Sequence, residues 1–396
     1  MNATERLGGV RAKNWYRESD CSLDAFADQL RKKADLDLRF PIETEREIPI
    51  YDCRALDEVL ADPVREQTLQ AEWAQVLLDG AGVLVLKNAF ADTAAVDEAT
   101  RVFEEIIKQE RESGTQGADH FAKAGANDRI WNAHGKLCLR APPVFARYFA
   151  NVFVASVSQA WLGPGFQMTT QVNVVRPGGE AQQAHRDYHL GFQTVEDAQR
   201  FPAHVHTMSP FLTLQGAVAH SDMPIESGPT KLLPFSQRYA QGYLAWRRPD
   251  FRNFFEANCV QLPRAKGDAL FFNPALFHAA GANRTADVQR MANLLQISSA
   301  YGRAMESVDR LRMCEAVYPV LLEYKGSGQL TATEIDSVVA STADGYAFPT
   351  NLDRDPPVGG LAPASQQALL RRALDETWPP SRLGEALQLQ AWKRTS

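Results

Sequence analysis

Residues 168–179, MTTQVNVVRPGG, and residues 184–192, AHRDYHLGF, open the stretch of chain whose reading decides the fold. In the first, polar and β-branched residues alternate through Gln171-Val172-Asn173-Val174 until Pro177-Gly178-Gly179 ends the run, which is strand chemistry closed by turn chemistry. The same texture continues downstream in FLTLQGAVAH (211–220), TKLLP (230–234), CVQLP (259–263), GDALFFN (267–273) and MANLLQISS (291–299), and upstream in GVLVL (82–86). Ser227-Gly228-Pro229 and Lys266-Gly267-Asp268 punctuate these runs. Eight short candidate strands with turns between them predict a sandwich, barrel or jelly roll, not alternating βαβ units.

On both sides of this β region the pattern changes to helix. ADTAAVDEATRVFEEIIKQE (91–110) places Ala95, Val96, Ala99, Val102, Phe103 and Ile106 at helical spacing behind the capping candidates Asp92 and Thr93. Beyond 300 come ESVDRLRMCEAVYPVLLEY, then TATEIDSVV with a Thr331/Glu334 capping box, then SQQALLRRALDETW before Pro379-Pro380. A Pro-, Asp- and Gly-rich loop spans about 341–363. Residues 1 to about 75 alternate charged clusters with short apolar groups and read as loops and short helices. The expected organisation is an N-terminal helical or irregular extension (1–77), a β core (78–300) and a C-terminal helical extension (301–396).

Composition narrows the function classes. The chain has 396 residues, 45% hydrophobic and 23% charged, with a formal net charge of −6. That balance gives no electrostatic reason to expect nucleic acid or an anionic membrane as partner, and no run approaches a membrane span of roughly 20 apolar residues. Five cysteines stand singly, with no Cys-x-x-Cys, so neither a disulfide framework nor a zinc ribbon is indicated. With no signal-peptide pattern at the N-terminus, a reducing cytoplasmic location is expected. A small-molecule substrate is the default partner, and the C-terminal helices leave room for a homo-oligomer.

Five of the eight histidines lie between 185 and 220, and His278 alone follows them. Two residues apart on a strand share a face, so His185 and Asp187 would present an imidazole and a carboxylate together. This suits a two-histidine, one-carboxylate triad, which holds non-haem Fe(II) on three sites and leaves the others open. A second His-x-Asp, His220-Ser221-Asp222, leaves the choice to context. Downstream, His278 follows the strand-like GDALFF, and Arg290 comes twelve residues later. A dicarboxylate bound through its 2-oxo acid end needs a cation for its far carboxylate, which arginine's rigid fork provides.

At these residues the chain resembles the phytanoyl-CoA dioxygenase family of Fe(II)/2-oxoglutarate oxygenases. The likeness covers roughly 78–300. It includes Arg176-Pro177-Gly178 before His185-x-Asp187, Asp222-x-x-x-Glu226-Ser227-Gly228-Pro229 leading to Leu233-Pro234-x-Ser236, and Lys266-Gly267-Asp268 before His278-x-x-x-x-Asn283. The resemblance implies a double-stranded β-helix, a cupin-like jelly-roll core, with His185, Asp187 and His278 as iron ligands and Arg290 as the 2-oxoglutarate anchor. It also assigns His220-x-Asp222 a structural role. Arg290 lies one residue further from its histidine than the commonest family spacing, which keeps Arg284 as its rival, and Ala280 stands where a Ser or Thr is common. Related halogenases have Gly or Ala in place of the carboxylate, so Asp187 favours hydroxylation or a related oxidation. The implied co-substrates are 2-oxoglutarate and O₂, with succinate and CO₂ released. The rival readings are a cupin-like metalloenzyme that does not use 2-oxoglutarate and a non-catalytic jelly-roll binding protein.

Further positions invite roles without fixing them. Asn173 and Gln171 share a strand face where their amides could meet 2-oxoglutarate. Gln215 and Gln296 are polar residues in apolar strands, which calls for a partner. RIWNAHGKLCLR (129–140) offers Trp131, Asn132 and His134 as substrate-pocket candidates on a loop. His189 would join the face of His185 and Asp187 if that strand continued. His204 and His206 are two apart, with no third ligand implied.

Overall fold

The computed structural model describes residues 14–114 and 127–396; the first thirteen residues of the expected N-terminal extension lie outside it. Ten strands occur in chain order: β1 (Glu43–Glu45), β2 (Ile48–Asp52), β3 (Val83–Lys87), β4 (Asn127–Ile130), β5 (Gln167–Val175), β6 (Thr213–Ala219), β7 (Lys231–Leu232), β8 (Ala269–Phe272), β9 (His278–Ala279) and β10 (Arg290–Ser298). Helix covers a larger share of the described chain than strand, but the strands position the candidate site.

Eight strands form one mixed sheet in the order β1-β2-β3-β8-β6-β10-β5-β4. At its centre β3 pairs antiparallel with β8, and β8 with β6, through registers such as Val85↔Leu270 and Ala217↔Leu270. Opposite this sheet runs a layer of short pairings. β7 pairs with β9, and isolated bridges add His185 to His278 and Val260 to Leu232. One long sheet facing a layer of short strands is the jelly-roll arrangement expected from the sequence. Ile48, Ile50, Val83, Val85, Leu270 and Phe272 from the long sheet pack with Leu232, Leu262 and Leu276, which fills the interior with aliphatic volume.

The N-terminal region departs from its expected loops and short helices. Residues Ile48–Asp52 are almost entirely buried and join β3 in parallel, Ile50 against Val85. β1 precedes them in a tight hairpin whose turn residues, Arg46 and Glu47, both take positive φ (49° and 71°), the backbone that a two-residue hairpin turn requires. A further helix, Pro63–Leu78, starts on an Asp62 cap with Pro at its first turn. The strand was hidden because its apolar segment, IPIY, is short and flanked by charges.

Two compact units interleave along the chain. Among the described residues the first contains 14–91, 127–128 and 173–294; the second contains 92–114, 129–172 and 295–396. The boundary falls within β4, β5 and β10. The second unit is chiefly helical: Ala94–Glu112, Ala133–Arg140, Pro142–Phe149 and Val152–Leu162 join the C-terminal helices Arg310–Ser327, Ala332–Thr342, Gln366–Asp375 and Pro380–Arg394. The Thr331/Glu334 capping box is present, with the Thr331 N–H donating to the Glu334 carboxylate at 2.7 Å. Among the described residues no helix is long and apolar enough to cross a membrane, and all five cysteines are free.

His134 lies at the centre of this helical unit. Its ring is fully buried, edge-on to Phe145 and Phe149, with Nε2 at 2.8 Å from the Ser341 carbonyl oxygen. Burial, then the charge of Arg310, lowers its pKa to about 3. The unfolded chain therefore takes up a proton near pH 6.5 that the folded chain refuses, and stability falls as pH drops through that window. Relative to the wild type, His134→Gln removes about 2 kcal/mol of the stability lost between pH 7 and pH 5. Denaturant unfolding of both proteins at the two pH values checks this.

Candidate active site

His185 lies in the layer of short strands, where it exchanges both backbone hydrogen bonds with His278: its N–H donates to the His278 carbonyl at 3.0 Å, and its carbonyl oxygen accepts from the His278 N–H at 3.2 Å. Two residues on, the Asp187 N–H donates to the Pro274 carbonyl at 3.1 Å. The three side chains converge, with one ligand atom from each lying within 4.8 Å of the others. His185 Nε2 is 3.7 Å from Asp187 Oδ1, and His278 Nε2 is 3.5 Å from Asp187 Oδ2.

The two imidazoles are oriented alike. Nδ1 of His185 is 2.8 Å from the Gln183 carbonyl oxygen, and Nδ1 of His278 is 2.9 Å from the Leu276 carbonyl oxygen. A carbonyl accepts only, so each Nδ1 carries the proton and each Nε2 presents a lone pair to the common point. Burial alone would raise the Asp187 carboxyl, but the positive charge the two imidazoles carry when protonated, and the Gln215 amide, overcome it and hold the group well below the usual carboxylate range. Phe272 stacks at 4.7 Å from the His278 ring, and Trp246 stands 6.5 Å from His185, so aromatic surface shields the cluster. Two imidazoles and one carboxylate on one face fit Fe(II) with open positions, whereas a structural zinc site is usually closed by a fourth protein ligand.

Residues 78–292, more than half of the chain, match the phytanoyl-CoA dioxygenase (PhyH) family. The chain belongs to that family. Among curated proteins it is similar to the dioxygenase trt7 of Aspergillus terreus (strain NIH 2624 / FGSC A1156), 26% identical over 232 residues, covering 56% of this chain and 72% of that one. Among solved structures, similarity extends to the non-heme alpha ketoglutarate dependent epimerase SnoN from nogalamycin biosynthesis, at 19% identity and TM-score 0.39, covering 60% of this chain and 84% of that one. It extends also to the carbocyclase SnoK from the same biosynthesis, at 19% identity and TM-score 0.39, covering 56% and 80%. The family match, joined to the His185, Asp187 and His278 geometry, makes the chain a 2-oxoglutarate-dependent dioxygenase.

Other residues fall where phytanoyl-CoA dioxygenase family membership alone would not place them. Arg290 is buried at the start of β10, its Nη1 donating to the carbonyls of Ser227 at 3.2 Å and Gly281 at 3.4 Å, while Arg284 is exposed. The rival His220-x-Asp222 serves the fold: the His220 N–H donates to the Met291 carbonyl, and Asp222 accepts the Lys266 N–H at 2.9 Å. Asn173 is buried with its Oδ1 lacking a partner, but the Gln171 amide is engaged by Arg129 at 2.7 Å and by the Met305 sulfur. Trp131 takes the Arg129 guanidinium over its ring at 5.0 Å, and Asn132, in the left-handed region, starts the helix Ala133–Arg140. This helix replaces the expected loop, and it draws His134 into packing instead of leaving it open to a substrate. His189 also departs from expectation. Tyr188 and His189 both take positive φ (62° and 40°), which ends the extended backbone and sends His189 to the Ser209 hydroxyl at 3.0 Å.

Two site-building residues were weakly legible or silent in the sequence. Gln215 showed itself as a polar residue in an apolar strand, and its amide proves to donate to Asp187. Arg186, between the two ligands, gave no such signal. It is buried and sandwiched between the Tyr243 and Phe277 rings, each 5.1 Å from the guanidinium carbon. Its Nη2 donates to the carbonyls of Ser236 at 2.6 Å and Tyr239 at 3.0 Å. A Cβ on Gly242 would land on that guanidinium, so the helix Gly242–Ala245 can approach only as glycine. Gly242→Ala is therefore expected to cost about 1–3 kcal/mol through overpacking and to weaken Fe(II) binding by displacing the His185-Arg186-Asp187 backbone. Thermal unfolding and anaerobic Fe(II) titration read the two effects separately, and unchanged values in both would remove Arg186 from this positioning role.

Proposed function

We propose that this enzyme oxidises a C–H bond of a small organic molecule, by hydroxylation or a closely related oxidation, using His185, Asp187 and His278 as iron ligands. The observation that carries the reading is the convergence of these three groups in a member of this family, with Asp187 retained as the third ligand. Iron held there supplies, with 2-oxoglutarate and O₂, the oxidising power for the substrate, and 2-oxoglutarate leaves as succinate and CO₂.

The chain's own contribution is charge and geometry. Asp187 stays ionised, so it neutralises half of a divalent charge without competing for protons. The Gln183 and Leu276 carbonyls fix the ring orientation of the two histidines, and Gln215 limits rotation of the carboxylate. Arg290 receives the far carboxylate of 2-oxoglutarate. Burial supports that role, since a charge-assisted hydrogen bond strengthens as water is excluded. Asn173, buried and not held by Arg129 as Gln171 is, is the better placed of the two amide candidates for a co-substrate contact, through its amide N–H.

Addition of 2-oxoglutarate to the Fe(II) protein without O₂ is expected to produce a weak visible charge-transfer band, and folded protein with no band would overturn the reading. Asp187→Ala is expected to abolish succinate formation coupled to substrate. Arg290→Ala is expected to raise the 2-oxoglutarate requirement by roughly 10- to 100-fold, the loss of hydrogen bonds to a charged group. Arg284→Ala should leave that requirement unchanged, and steady-state assays across 2-oxoglutarate concentration distinguish the two arginines.

A further inference from the structure

Arg264 is a buried cation with almost no partner. It is 7% exposed, and its backbone pairs with Met223 in an isolated bridge between the end of β6 and the turn before β8. Among the described residues its Nη2 reaches the Met223 sulfur at 3.6 Å, while Nε and Nη1 have no hydrogen-bond partner. The carboxylate it senses, Asp268, is already committed, accepting the backbone N–H of Asn88 at 2.9 Å and of Ala265 at 2.8 Å. A buried guanidinium left this way costs stability unless an anion completes it.

A second under-satisfied guanidinium lies nearby. Arg290 holds two carbonyl oxygens at 3.2 and 3.4 Å and no carboxylate. After burial, the charge of Arg264 is what lowers its pKa, to about 10, so the two cations are close enough to repel. The packing agrees. Met223, which touches Arg264, clusters with Ala219 and Ala292, and Ala292 lies two residues along β10 from Arg290, on the same face of the strand. Ser227, whose carbonyl Arg290 holds, follows Met223 by one short turn.

We propose that Arg264 is a second cation of the co-substrate site, gripping with Arg290 the far carboxylate of 2-oxoglutarate. This rests on the function proposed above. Two forks converging on one carboxylate satisfy the donors that the protein leaves open and remove the repulsion between them. The pair would also select a 2-oxo dicarboxylate over a 2-oxo monocarboxylate, because the latter leaves both cations buried and unpaired.

The test uses the full-length Fe(II) protein without O₂, titrated with 2-oxoglutarate and with 2-oxobutyrate, read by the visible band and by ligand-induced thermal shift. Arg264→Met is expected to weaken 2-oxoglutarate at least tenfold, to leave 2-oxobutyrate within twofold of wild type, and to melt no lower than wild type without ligand. Arg264→Lys should recover part of the loss. Unchanged 2-oxoglutarate affinity in Arg264→Met would overturn the proposal. Equal weakening of both ligands together with a lower melting point would overturn it too, since that is the signature of a structural arginine. Failure of the wild type itself to bind 2-oxoglutarate would instead overturn the function on which the proposal rests.

Discussion

The reciprocal backbone hydrogen bonds between His185 and His278 are the constraint on which the candidate active site depends. They join segments far apart in sequence at one point, and they do it through groups that every residue carries. Side-chain identity then does the rest. Each imidazole binds the carbonyl oxygen two residues before it, so both rings present the same nitrogen inward. The site is thus set by backbone register before any metal is considered, and a slip of one residue would turn a ligand to the opposite face. Asp187 has its own anchor at the Pro274 carbonyl, which ties its carboxylate to the turn that precedes His278.

That dependence explains which parts were legible in the sequence. His185, Asp187 and His278 could be read because ligand chemistry demands particular side chains at particular separations. β3, β5, β6, β8 and β10 could be read because runs of apolar and β-branched residues ended at Gly and Pro. β9 could not, since two residues carry no periodicity, although it carries His278. His189 was misplaced because alternation assumes an extended chain, and nothing in Tyr188-His189 announces two successive positive φ values, which L residues adopt only when the surroundings impose them. β4 and the helix Ala133–Arg140 were read together as a loop for a related reason: Asn132 reverses the backbone between them in the left-handed region.

Arginine was the residue type that sequence reading handled least well, and the structure shows why. A net charge of −6 describes the surface balance but says nothing about cations withdrawn from it. Three buried arginines, Arg186, Arg264 and Arg290, and the half-buried Arg310 all have pKa values pulled down by desolvation. What distinguishes them is how their donors end. Arg186 meets carbonyl oxygens and two aromatic faces, and Arg310 donates to the Thr342 and Met168 carbonyls at 3.1 Å each. Both donate to fixed carbonyls of the fold, although the Arg186 Nε has no hydrogen-bond partner and that guanidinium relies on the two aromatic faces for the rest of its surroundings.

Arg290 and Arg264 follow a different rule. The first has two long bonds to carbonyls, the second a sulfur, and neither has a carboxylate. Evolution toward stability alone would replace such a pair with apolar residues of similar volume, because burying like charges beside each other without an anion is unfavourable. Retaining them makes physical sense when the missing charge arrives with a ligand, so that binding recovers the energy that folding left unmatched. On this view the poor satisfaction of the two arginines in the protein alone and the strength of their grip on a dicarboxylate are one property: donors already desolvated and held in place need no further reorganisation when the anion enters.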